Sequence, residues 1–282
     1  MRYTLALLLF LSIPALASDF QSPRTAALGG AGHAAPLLTD SIYLNPSFTS
    51  FLPAYLASVN YGVYKGGDTN PDGTQTVHGH ILNAAVQDGR NEMFQAGVGM
   101  TIREDAKYFN IGASKALFQK FGVGLGGKYI IPNSGNGVKT QDFNASGTLA
   151  ATNWATASFM VDNLVDSQGV QDQGLYREFI LGTKFNIQNL MLIYLDPHYA
   201  PNAPGSHFGY ENGVELTPFK DLFLRAGMFR ASNIPELQNA RGHGVGYGVG
   251  WVGPKLSLDY GLKRTLDPQV TNTHNVGVTF YY

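Results

Sequence analysis

His78 and His80 stand two residues apart, the spacing that puts both side chains on one face of a strand, where paired imidazoles can hold a metal ion. No third ligand follows nearby in the chain. At the loop end of a strand the two read as interface or loop residues, and no metal centre is expected. Asp196-Pro197-His198 and His207 bracket what reads as a loop, and an acid and an imidazole with a serine would make a hydrolase. The chain has no Gly-x-Ser-x-Gly turn, and nothing places a serine beside a base. Gly122-Val123-Gly124-Leu125-Gly126-Gly127 has the dinucleotide-binding spacing, which requires a helix to follow so that its N-terminus meets the phosphates. Here Lys128-Tyr129-Ile130-Ile131 continues a strand instead. The chain is therefore read as a non-enzyme that requires no cofactor.

More informative are charges on the small or polar parity of their strands. Lys128, Glu211, Glu215, Arg225, Asp259 and Lys263 all alternate with apolar neighbours. If the apolar parity faces lipid, these six line an interior, since Arg or Lys at the lipid midplane costs roughly 2–4 kcal/mol. Two readings stay open: a polar path or latch, and an ion-pair network that fills a narrow lumen. The mixed signs form no single-charge ring of the kind a selective pore uses.

These residues need strands to position them. Phe94, Ala96, Val98, Met100 and Ile102 alternate with Gln95, Gly97, Gly99, Thr101 and Arg103, and the same period of two returns at Phe121 to Ile131 and Leu256 to Lys263. About fourteen such segments are predicted, near residues 55–64, 77–87, 94–103, 107–115, 121–131, 142–150, 154–163, 177–186, 190–196, 208–216, 222–230, 243–252, 255–264 and 273–282. Long links at 65–76, 132–141, 164–176, 197–207 and 231–242 alternate with short ones, as outer loops alternate with periplasmic turns in outer-membrane barrels. The short link near 104–106 is the exception. Tyr64, Phe208, Tyr210 and Phe229 fall near the outer ends, where aromatic girdles form; an apolar loading groove is the other reading.

Composition agrees. Of 282 residues 14% are charged, against about 25% in soluble domains, and 34 are glycine. A net charge of −1 leaves no basic footprint for nucleic acid. No cysteine is present, which excludes disulfides and thiolate-bound metals. Residues 1–17 read as a cleaved signal peptide, with Arg2, the apolar run Leu5 to Leu16 and a small-residue cleavage site. Residues 55–282 read as an all-β, transmembrane antiparallel barrel. Residues 18–54 do not alternate and read as an N-terminal plug or hatch, with a disordered periplasmic tail as the other reading; Arg24, Gly29, Gly30, Gly32, Asn45 and Pro46 are the plug's candidate residues. Gly242, Gly244, Gly246, Gly248 and Gly250 share one parity, a strip that admits another backbone closely. Val276, Val278, Phe280 and Tyr282 give the last strand an apolar face with a terminal aromatic.

The stretch Arg24 to Gly32, the Asn45-Pro46 element, Gly213-Val214-Glu215, Leu224-Arg225-Ala226-Gly227, Leu256 to Leu262 and Thr273-His274-Asn275 together resemble FadL-like and PorV-like outer-membrane proteins, of the hydrophobic-compound transporter superfamily. The family's Asn-Pro-Ala-Gly reads Asn45-Pro46-Ser47-Phe48 here. The resemblance implies fourteen strands with an N-terminal hatch in a bacterial outer membrane. It also implies passive passage of small hydrophobic, fatty-acid-like compounds; the PorV-like branch implies a non-transporting accessory of protein secretion. Expected partners are outer-membrane lipid, a hydrophobic ligand and the barrel-assembly machinery, for which Val278, Phe280 and Tyr282 are the signal.

Overall fold

The computed structural model describes residues 20–66, 77–133 and 137–282. The signal peptide read at 1–17 and most of the first long loop lie outside the described residues. Seven strands, β1 (Tyr55–Gly66), β2 (His78–Asp88), β3 (Gln95–Ile102), β4 (Ala106–Leu117), β5 (Phe121–Pro132), β6 (Thr140–Leu149) and β7 (Ala155–Asp162), form the first half of the ring. The second half is β8 (Glu178–Ile187), β9 (Met191–Tyr199), β10 (Phe208–Phe219), β11 (Leu222–Ile234), β12 (Ala240–Val252), β13 (Leu256–Asp267) and β14 (Thr271–Tyr281). Each strand pairs antiparallel with its chain neighbours, and β1 pairs with β14 from Leu56↔Tyr281 to Gly66↔Thr271, so the barrel is closed. Closure removes both sheet edges, which is what allows strands to cross hydrocarbon.

Alternation builds the two faces. On β5, Phe121, Val123, Leu125 and Tyr129 are exposed while Gly122, Gly124, Gly126, Lys128 and Ile130 are buried. Leu125 is 67% exposed and Val98 56%, apolar surface that only lipid would cover. No helix among the described residues is long and apolar enough to cross a membrane. Short links close one end of the barrel. Phe118-Gln119 and Gln188-Asn189 hold consecutive left-handed conformations, φ of 53° and 62° and of 54° and 57°, the twist that joins adjacent strands in two-residue hairpins. Tyr55 and Tyr282 meet at this same end through reciprocal backbone hydrogen bonds of 3.4 and 3.0 Å.

The structure corrects several expectations. The link expected at 231–242 is only Pro235 to Asn239, because β11 and β12 pair out to Ile234↔Ala240 past an irregularity between Arg230 and Ser232. Asp196-Pro197-His198 is no loop: it lies in β9, where Pro197 sits opposite Tyr210 and Asp196 and His198 are buried. Tyr64 and Phe229 are buried on the inner face and belong to no girdle; Phe208, 52% exposed, is on the outer face.

Residues 20–52 run inside the ring. Ser22 starts helix α1 (Pro23–Ala27) with a capping box: its Oγ accepts from Thr25 N at 3.1 Å and its own N donates to Thr25 Oγ1 at 2.8 Å, with Pro23 in the first turn. Gly29 and Gly30, at φ of +66° and +93°, turn the chain out of it. A second helix, α2 (Ser41–Leu44), precedes a 3₁₀ turn at Pro46–Phe51, where Asn45 Oδ1 accepts from Ser47 N at 3.1 Å. Ser47 uses its hydroxyl to bond Asn45 Oδ1 at 2.6 Å and Thr148 at 2.7 Å.

Candidate functional site

The wall accepts this segment on glycines. A Cβ on Gly227 would overlap the Leu28 carbonyl, one on Gly246 the Ala26 carbonyl and one on Gly124 the Ser47 amide. Backbone therefore rests on backbone at β5, β11 and β12, with no room for a side chain between. Gly242 and Gly244 of the predicted strip instead meet the carbonyls of Asp267 and Arg264 on β13.

Around these seats the inward charges pair. Arg225 Nε donates to Glu215 Oε2 at 2.5 Å and its Nη1 pairs with Asp259; Arg24, from α1, reaches the same Glu215 oxygen at 3.4 Å. Arg24 Nη2 also donates to the Tyr194 hydroxyl at 2.8 Å, and the guanidinium lies 5.2 Å over that ring. Two cations and two carboxylates thus form one network that ties α1 to β9, β10, β11 and β13. Burial alone would lower the Arg24 guanidinium, but the charges of Tyr194 and Glu215 hold it above its ordinary value. Lys263 Nζ donates to Gln21 Oε1 at 2.9 Å and Glu236 Oε2 at 3.3 Å, and Lys128 to Asp162 and Asn163, each at 3.2 Å. Every one of the expected inward charges is buried or nearly so, and they are distributed over four separate groups, not one path.

Glu211 belongs to the fourth group, with Asp196 and His33, which parity alone does not assemble. It lies directly opposite Asp196 in the β9–β10 register, and His33 reaches both: Nδ1 is 3.0 Å from Asp196 Oδ2 and 3.9 Å from Glu211 Oε2. Asp196 Oδ2 also accepts the Gly32 and His33 amides at 2.6 and 2.8 Å. Burial alone would lower the His33 imidazole; the hydrogen bond and charge of Asp196 and the charge of Glu211 raise it instead. The signal available in sequence was parity, since Tyr194, Asp196 and His198 alternate, but Pro197 disguised the strand.

Among the described residues the segment leaves a sizeable space inside. A cavity of about 440 Å³ lies at the Tyr55–Tyr282 end, between residues 37–54 and the inner faces of β1 and β11–β14. Leu38, Leu52, Leu56, Phe223, Val252 and Tyr281 make its apolar wall, and Arg24, Asp40, Arg225 and Asp259 close its deep end. Burial pushes Asp40 up to about 6 against the pull of Arg24 and the hydroxyl of Ser22, which donates to Asp40 Oδ2 at 2.8 Å. A larger groove of about 560 Å³ lies on the outside of β2–β6, walled by Val86, Val98, Phe109, Ile111, Tyr129 and Phe143; it faces hydrocarbon, not the lumen. His78 and His80 are exposed on the outer face, and His80 Nδ1 is 2.9 Å from Glu104.

What the architecture defines is a closed fourteen-stranded antiparallel barrel, lipid-facing outside, with its own N-terminal segment within. No family model and no curated protein sequence matches the chain. Solved structures do. A CymD monoaromatic hydrocarbon channel is similar at a TM-score of 0.66, with 10% identity over 95% of this chain and 99% of that one. The toluene transporter TodX of Pseudomonas putida is similar at 0.61, with 11% identity over 93% and 98%. A Pseudomonas aeruginosa FadL homologue is similar at 0.61, with 11% identity over 96% and 99%. At such identity the likeness is one of fold.

Proposed function

We propose that the protein is a passive channel of the bacterial outer membrane for small hydrophobic compounds, exported by a signal peptide at 1–17, with residues 18–54 as its plug. The observation that carries this reading is the apolar cavity of about 440 Å³ left inside a lumen otherwise occupied by the chain itself. Binding cavities for small apolar molecules are of this size and character, with few polar groups at one end. That structures of the same fold are described as hydrocarbon channels supports it. Lumen charges serve as latches for the plug, and the final strand, with Val278, Phe280 and Tyr282 outward, is the signal read during assembly in outer-membrane lipid.

Uptake into proteoliposomes tests the reading, with labelled toluene as an aromatic probe and oleate as the fatty-acid-like one. Uptake above protein-free vesicles is expected, and Leu56→Trp, which fills the cavity, should lower it severalfold while the barrel stays heat-modifiable. No uptake of either probe, together with a stoichiometric protein subunit in native mass spectra of material extracted from its own membrane, would replace the channel with a scaffold of an envelope complex.

A further inference from the structure

We propose that His33, Asp196 and Glu211 bind one divalent transition-metal ion, of the zinc class, which fastens the N-terminal segment to the barrel wall. The His33 nitrogen and one oxygen from each carboxylate lie within 4.8 Å of one another, and all three residues are buried. Donors that share an ion at about 2.0–2.2 Å stand roughly 3–4 Å apart, so the 3.9 Å from His33 Nδ1 to Glu211 Oε2 already matches, and the 3.0 Å hydrogen bond between Nδ1 and Asp196 Oδ2 gives way as the imidazole loses its Nδ1 proton to bind the ion.

Charge supplies the second argument. Asp196 and Glu211 are direct cross-strand partners on the inner face, where like charges oppose each other at a cost unless a cation sits between them. Asp196 Oδ1 and Glu211 Oε2 are both buried with no hydrogen-bond partner among the described residues. Unpaired buried carboxylate oxygens are expensive, and an ion between them uses the free lone pairs of both. One imidazole with two carboxylates, and no thiolate anywhere in the chain, is a donor set that suits zinc and its neighbours over calcium or magnesium.

The local backbone is shaped to deliver these donors. Gly32, at φ +134°, and the amides of Gly32 and His33 bind Asp196, which orients the carboxylate and presents the imidazole in one step. A side chain at Gly30 would overlap the Glu211 carboxylate, so the turn after α1 is bare where it passes the site. The same three groups join the N-terminal segment to the β9–β10 hairpin, with His33 163 positions from Asp196. An ion here would be a rivet and not a catalyst. The inference does not depend on transport.

The test uses the full folded protein carrying His78→Ala and His80→Ala, which removes the exposed outer-face pair. After removal of adventitious metal with EDTA, Zn²⁺ is titrated against a chromophoric chelator, and the loaded protein is examined by zinc X-ray absorption. One zinc per chain is expected, bound by one imidazole nitrogen with oxygens for the rest and no sulfur. Since losing even an outer partner of a ligand costs about 10- to 100-fold in affinity, His33→Ala and Glu211→Gln should each weaken binding by more than that. Absence of stoichiometric zinc in the folded host, or affinity unchanged in both variants, overturns the site. If a variant fails to assemble, the absorption spectrum of the host decides, because a first shell without imidazole or with more than one contradicts the assignment.

Discussion

Along β10–β13 the N-terminal segment touches the wall backbone to backbone, while at the Tyr55–Tyr282 end the same segment stands away from it and leaves about 440 Å³. The difference lies in side-chain volume on the wall. Gly213, Gly227, Gly246 and Gly261 offer no Cβ, so α1 and the turn after it can close on the strands. Leu56, Phe223, Val252 and Tyr281 project inward at the other end and hold Leu37, Leu38 and Leu52 at a distance. One barrel thus seals and leaves room with the same backbone.

That contrast predicts a series of effects. Deleting residues 22–38 removes the sealed contact altogether: the barrel should still assemble, and dye leakage from proteoliposomes should rise more than with any single substitution. Unchanged leakage with an intact barrel would mean that the close contact seals nothing. Gly227→Val should come next, because its side chain overlaps the Leu28 carbonyl, a backbone conflict worse than the roughly 1–3 kcal/mol of ordinary overpacking. Susceptibility of the 20–52 segment to added protease would report the release, and Leu56→Ala, at the loose end, should leave it protected.

Glu215→Gln acts on the network between the two regions. Arg24 and Arg225 would lose their shared carboxylate, and breaking a buried pair from one side costs about 3–5 kcal/mol, readable as a lower urea midpoint for unfolding. The smallest effect is that of pH. Asp40, raised to about 6, favours the seated state in its protonated form. That contribution is complete below the ordinary carboxylate range near 4 and is lost as pH rises through about 6, so leakage should increase modestly between pH 4 and pH 7. Asp40→Asn should flatten the profile.

The strands were legible because their information is local. Predicted segments at 121–131 and 255–264 differ from β5 and β13 by at most three residues at either end. Pro197 and the stretch 231–242 misled, since a proline inside a strand and an irregular pairing at Arg230–Ser232 are tolerated only when the neighbouring strand is already in place. Tyr64 and Phe229 were assigned by type, aromatic near a strand end, although parity turns both inward. Of the interior, the sequence disclosed the charges at Lys128, Glu211, Glu215, Arg225, Asp259 and Lys263 but not their partners. Arg24 meets Glu215 across 191 positions and His33 meets Asp196 across 163.

What the sequence determined by itself is therefore which face each side chain takes, because alternation is a property of the extended backbone and needs no partner. Which inward groups meet was decided only by tertiary structure. Closure of fourteen strands in one register brings β9 beside β10 and β1 beside β14, and the glycines of that ring then select where a non-alternating segment can come to rest.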